Sequence, residues 1–104
     1  MTASIVVQPE AETDLDNSYR WYEERRAGLG QEFLVEVDRA FCRIAESPLR
    51  PKERYRGTRR VALRRFPYVV LYLAQDDQVF VLGVLHERRS PARFRARTSS
   101  RGRG

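Results

Sequence analysis

The residues best equipped for chemistry lie in two strings, "RRFPYVVLY" from Arg64 to Tyr72 and "VLGVLHERRSP" from Val81 to Pro91. The second holds His86, the only histidine of the chain, followed closely by Arg88 and Arg89. An imidazole with an ordinary pKa of about 6.5 can give or take a proton at neutral pH. Adjacent guanidinium groups can stabilise the charge of a phosphoryl transition state. Arg64, Arg65 and His86 are therefore the residues from which a phosphodiester-cleaving centre would be assembled. The same arginines could instead grip an anionic partner, or border an edge strand that needs solvating. A histidine that closes an apolar strand is more often structural or interfacial than catalytic.

The charge distribution favours the partner reading. Through Ser47, ten acidic residues face five arginines, a net of −5; from Pro48 onward fifteen basic residues face four acidic ones, a net of +11. A basic half of this kind calls for nucleic acid or an acidic protein segment. No glycine-rich phosphate loop, paired metal-ligand string or nucleophile elbow occurs, so no cofactor or metal is expected. The lone Cys42 cannot form an internal disulfide, and in an apolar helical stretch it is expected as a small buried thiol. Neither a signal-peptide pattern nor a long apolar run is present, which points to a soluble cytoplasmic protein without membrane partners.

These residues need a scaffold, and the periodicities supply one. Ser4 to Gln8 is a short β-branched run ended by Pro9. Pro9 then opens a helix whose Glu10, Glu12 and Asp14 suit the positive end of its dipole. Ala11, Leu15, Tyr19 and Tyr22 form one apolar stripe of that helix, with Trp21 beside it and off the stripe. "GLG", Gly28 to Gly30, interrupts the pattern. Phe33, Val37, Phe41 and Ile44 then carry a second helix, which should end near Ser47 because Pro48 disfavours helical geometry before it.

Residues 48–57 form a Pro- and charge-rich connection. "RRVALRRF" alternates as a half-covered strand, while "YVVLYLA" and "QVFVLGVLH" are apolar on both faces and form a hairpin in the middle of a sheet. The expected fold is α+β in the order β-α-α-β-β-β, with an antiparallel helical hairpin on one face of a small, mostly antiparallel twisted sheet. A short helical turn is expected in "ERRSPARF". Residues 1–94 would make a single domain, and residues 95–104 a basic disordered tail. Two helices cover one sheet face only, so apolar surface of the other face should stay open for a partner.

This order and its strings resemble the RelE/ParE superfamily of bacterial type II toxins. The resemblance rests on "PEAETDL", on "WYEE" with "GLGQEF", on "RRFPYVVLY" and on "VLGVLHERRSP", and spans about residues 4–94. It implies a toxin held in a hetero-oligomer by a cognate antitoxin, whose acidic C-terminal segment wraps the toxin and whose N-terminal domain binds the operator. RelE-like members are ribosome-dependent mRNA endonucleases; ParE-like members inhibit DNA gyrase without cutting RNA.

The family pattern separates these two at a few positions. RelE-like toxins carry an arginine inside the central strand, where this chain has Val69. They also have a tyrosine or histidine near the C-terminus, roughly where Phe94 stands. "FPY" and "VLH" look more like the ParE branch. The favoured expectation is therefore a non-catalytic gyrase inhibitor, with the RelE-like nuclease using Arg64, Arg65 and His86 as the alternative. Arg59, Arg60, Arg64, Arg65, Tyr68, Tyr72, His86, Arg88, Arg89 and Trp21 are the expected partner-binding residues. A third reading gives the tail "RFRARTSSRGRG" non-specific contact with phosphates; a solvated tail is the plainer account.

Overall fold

The computed structural model describes residues 2–89 and 91–101. Strand β1 (Ser4–Val7) leads into helix α1 (Pro9–Arg25), which starts with proline in its first turn, and then into α2 (Leu29–Glu46). A connector with one 3-10 turn (Tyr55–Gly57) precedes β2 (Thr58–Ala62), β3 (Tyr68–Gln75) and β4 (Gln78–His86), and helix α3 (Pro91–Arg101) follows. The sheet order is β1-β4-β3-β2, parallel between β1 and β4 and antiparallel elsewhere. This is the expected α+β arrangement, with the β3–β4 hairpin at its centre.

The helical hairpin closes tightly because its turn is built for it. Gly28 sits at φ 91°, a left-handed conformation that glycine adopts without steric cost. Gly28 and Gly30 donate their N–H groups to the two carboxylate oxygens of Glu23, both at 2.9 Å, which satisfies donors left free at the start of α2. A Cβ on Gly30 would lie 2.8 Å from both the ring and the carbonyl of Tyr19, so only glycine allows this approach of the two helices.

Beneath the hairpin lies the main core, centred on Phe33, which is fully buried. Its ring packs 5.2–5.4 Å from those of Tyr22, Phe66 and Tyr68. Val37, Ala40 and Ile44 continue the α2 stripe against Val70, Tyr72, Val79, Val81 and Val84. A register shift between Leu71 and Tyr72 sets Leu71 opposite Gly83 and Tyr72 opposite Val81, leaving Leu82 as the extra residue of a bulge. The bulge resets the alternation: Val79, Val81 and Val84 face the hairpin, whereas Leu82 and Leu85 pack on the opposite side.

That opposite side corrects three expectations. Val69, Leu71 and Leu85 are only 8%, 0% and 2% exposed, because Phe94 of α3 covers them. The second sheet face is thus not open apolar surface. Helix α3 also runs through residues 95–101, where a disordered tail was expected; residues 102–104 lie outside the described residues. Its anchor is Arg97, which reaches Asp14 of α1 with bonds of 2.8 and 2.9 Å. Asp14 is accordingly not dipole decoration on an exposed helix end but a buried ion-pair member.

This pair also finishes the edge of β4. Strand β1 ends at Val7, with Gln8 N–H donating to the Val81 carbonyl, so the next outward backbone groups of β4 have no strand partner. Asp14 accepts the Val84 N–H at 3.0 Å, and Arg97 donates to the Leu82 carbonyl at 2.8 Å. Two side chains thus replace a missing strand where unpaired buried backbone groups would be costly. The bond path crosses Gly83, where a Cβ would meet the Arg97 guanidinium at 2.7 Å.

Candidate functional site

Where α1, the end of the β3–β4 hairpin and the start of α3 meet, they leave an open groove of about 330 Å³. It is lined by Trp21, Tyr68, His86, Arg89 and Arg93, with Asn17 and Ser18 on its α1 wall. Tyr68 and His86 are register partners across the hairpin, and their rings meet edge to face at 5.4 Å. Trp21 is 39% exposed, braced at 5.0 Å on Tyr22 and covered on one face by the Arg25 guanidinium at 3.8 Å. The surface combines immobilised aromatic rings with cations, a composition suited to anchoring a partner chain.

His86 is held in one tautomer. Its Nδ1 accepts the backbone N–H groups of Arg88 and Arg89, both at 3.2 Å, so the neutral ring carries its proton on Nε2. Burial pushes its pKa below the ordinary value, and Arg89 and Arg88 push the same way against the opposing pull of Glu87. Protonating Nδ1 would break both bonds, and Nε2 already bears a hydrogen. The ring therefore offers the groove a donor rather than a general base.

A pH dependence follows. The folded state binds the His86 proton less readily than the unfolded chain does, so the contribution of the neutral ring to stability is fully present well above pH 6.5. Stability is lost as pH falls from about 6.5 through the lower folded value. Denaturant midpoints at about pH 7.5 and about pH 5.5 should fall further for the native chain than for His86→Gln, whose amide oxygen can accept the same two bonds. Equal falls would show that His86 titrates freely.

The other expected site residues are distributed elsewhere. Arg65 adopts a left-handed conformation at φ 70° and pairs with Glu32 at 2.7 Å; Glu32 also meets Arg26 at 3.2 Å. The bonds from Arg65 and Arg26 hold the Glu32 carboxyl below its usual pKa. Arg64 is exposed beside Val35, Arg39 and Cys42 on the outer side of α2, in a separate shallow depression. Cys42 is exposed there, not buried as expected, because it lies off the α2 stripe that meets the sheet. Neither Arg64 nor Arg65 lines the groove that contains His86.

Tyr72 and Arg59 were expected at the partner surface and are structural instead. Tyr72 is fully buried, with its hydroxyl donating to the Pro48 carbonyl at 2.7 Å. Arg59 donates to the carbonyls of Leu49 and Pro51 and pairs with Glu53, which ties the connector to β2. Arg60 lies 4.2 Å over the Phe94 ring on the α3 side of the sheet. Arg88 is exposed beside the groove. Arg93 and Asn17 are groove residues that the sequence reading passed over. The only signal for Arg93 was the helical turn expected in "ERRSPARF", and Arg93 lines the groove together with Arg89.

Among the described residues no three histidine, cysteine or acidic side chains gather as metal ligands, and no helix is long and apolar enough to cross a membrane. A family model described as the ParE toxin of type II toxin-antitoxin systems, parDE, matches residues 5–91. The fold is similar to a solved structure described as the chromosomal ParDE TA system from P. aeruginosa, with TM-score 0.71 and 18% identity. That match covers 82% of this chain and 96% of the other. No curated protein matches the sequence at a significant level.

Proposed function

The chain belongs to the ParE branch of the RelE/ParE superfamily, toxins of type II toxin-antitoxin systems, and from that membership we propose that it inhibits DNA gyrase in the cytoplasm by binding, without chemistry of its own. The observation that carries this reading is the state of His86, whose Nδ1 is engaged by two backbone N–H groups and whose remaining nitrogen carries the proton. Two further features support it. Arg64 and Arg65, grouped with His86 in the nuclease alternative, lie outside the His86 groove, and the central-strand position where RelE-like toxins carry a cation is Val69, buried under α3.

The groove is the surface assigned to partners. Trp21 and Tyr68 supply apolar anchors, and Arg89 and Arg93 supply cations for carboxylates. An acidic amphipathic antitoxin segment would find both in one place, and its ordering on binding would be offset by burying the rings. Neutralisation would then follow from covering the gyrase-binding surface. Induction in bacteria is expected to raise the DNA-damage response while protein synthesis continues. An immediate collapse of protein synthesis with cut transcripts would overturn the reading in favour of an mRNA endonuclease.

A further inference from the structure

The connector between α2 and β2 is ordered in a way that its sequence does not suggest. Arg59 holds its near end through the carbonyls of Leu49 and Pro51, and Arg54 N–H closes its far end on the Thr58 carbonyl at 2.6 Å. The Thr58 hydroxyl donates to the Tyr55 carbonyl at 2.8 Å. Arg56 at φ 58° and Gly57 at φ 77° are consecutive left-handed residues, and strain at a non-glycine residue persists where surrounding contacts impose it. The result is a fixed turn that shows Tyr55, 67% exposed, between Arg54 and Arg56, with the Arg56 guanidinium 5.4 Å from the ring.

The cations here lack counter-charges. Glu53, the only acid of the connector, is used by Arg59, and among the described residues Arg54, Arg56 and Arg60 make no ion pair. Arg60 projects from β2 on the same side, and its Nε is buried without a hydrogen-bond partner. Burial and the neighbouring Arg54 both disfavour its charged form, a cost that a bound anion would relieve. An acidic helix would also bring charge, but it docks through several apolar anchors at helical spacing. The connector exposes two large apolar side chains, Leu49 and Tyr55. A flat exposed ring set among cations instead matches the stacking platforms on which single strands are bound.

We propose that the connector and the adjoining face of β2 bind single-stranded nucleic acid, with Tyr55 stacking on a base and Arg54, Arg56 and Arg60 holding phosphates. This surface is separate from the His86 groove and does not depend on which enzyme the toxin inhibits. The test is fluorescence polarisation of a labelled single-stranded oligonucleotide with the full chain, titrated from about 50 to about 200 mM salt. Joint Arg54→Ala and Arg56→Ala substitution should weaken binding about tenfold and reduce the log–log salt slope by about 1.4. Tyr55→Ala should weaken single-strand binding about tenfold while changing duplex binding less than about twofold.

Arg20→Ala, at an exposed arginine of α1, should leave binding within about twofold of the native value. Circular dichroism melts of each variant verify folding. Unchanged affinity and slope in the double variant would overturn the proposal. So would competition by a glutamate-rich peptide as effective as the oligonucleotide, with Tyr55→Ala silent, since that assigns the patch to an acidic protein.

Discussion

Replacing Arg97 by alanine should lower the stability of the fold by about 3–5 kcal/mol, the usual cost of stranding one member of a buried ion pair. The Asp14 side chain is only 7% exposed and would be left buried without its cationic partner, while the Leu82 carbonyl would lose its donor. For a domain of this size the thermal midpoint should drop on the order of 20 °C. Asp14→Ala should cost a similar amount, because it strands the Val84 N–H and Arg97 can reach solvent only by releasing the Leu82 carbonyl. Asp14→Ala combined with Arg97→Ala should be less damaging than the sum of the two, since either change alone already removes the coupling. Urea denaturation of the four proteins measures this cycle. Additive losses below about 1 kcal/mol each would mean that α3 is not secured by this pair.

The second large effect concerns the groove. Trp21→Ala combined with Arg89→Glu should raise the concentration of toxin needed for half-inhibition of gyrase supercoiling by about 100-fold, the consequence of removing an aromatic anchor and reversing a contact charge. Both side chains are exposed, so a near-native melting midpoint would confirm that the loss is in binding rather than folding. The same variant should bind the antitoxin more weakly if one surface serves both partners. Full inhibitory potency in the variant would move the gyrase contact elsewhere on the toxin.

The helical hairpin and central strands were legible because apolar spacing states the period of each element directly. Phe33, Val37 and Ile44 declare a helix face, and Val69 to Leu73 declare a strand buried on both sides. What was not legible depended on contacts distant in sequence. Asp14 looks like any acid in an early helical turn until Arg97, on the last helix, arrives to pair with it. Helix α3 itself was hidden by its composition: "PARFRARTSSR" contains a single large apolar residue, Phe94, and that residue buries the second sheet face.

The candidate site was legible in part for the same reason. Tyr68 and His86 were placed on the two arms of one hairpin, but the bulge that sets them opposite each other left no mark in the strand pattern, and Trp21 stood out by lying off its stripe. Tyr72 misled because a tyrosine near arginines resembles an interface residue, and its bond to the Pro48 carbonyl depends on how the connector folds back. Arg59, Arg60, Arg64 and Arg65 read as one basic block in the sequence. A left-handed residue at Arg65 and the end of β2 at Ala62 send them to different parts of the surface. One-dimensional charge clustering carried no information about which arginines share a groove.

The central claim is that this toxin acts by binding and not by cutting, and it is tested most directly with purified components in two parallel reactions. One contains the toxin, gyrase, ATP and relaxed plasmid; the other contains the toxin, translating ribosomes and a defined mRNA. The account predicts loss of supercoiling or accumulation of cleaved plasmid in the first reaction and intact mRNA in the second. Ribosome-dependent cleavage of the mRNA with normal supercoiling would contradict it.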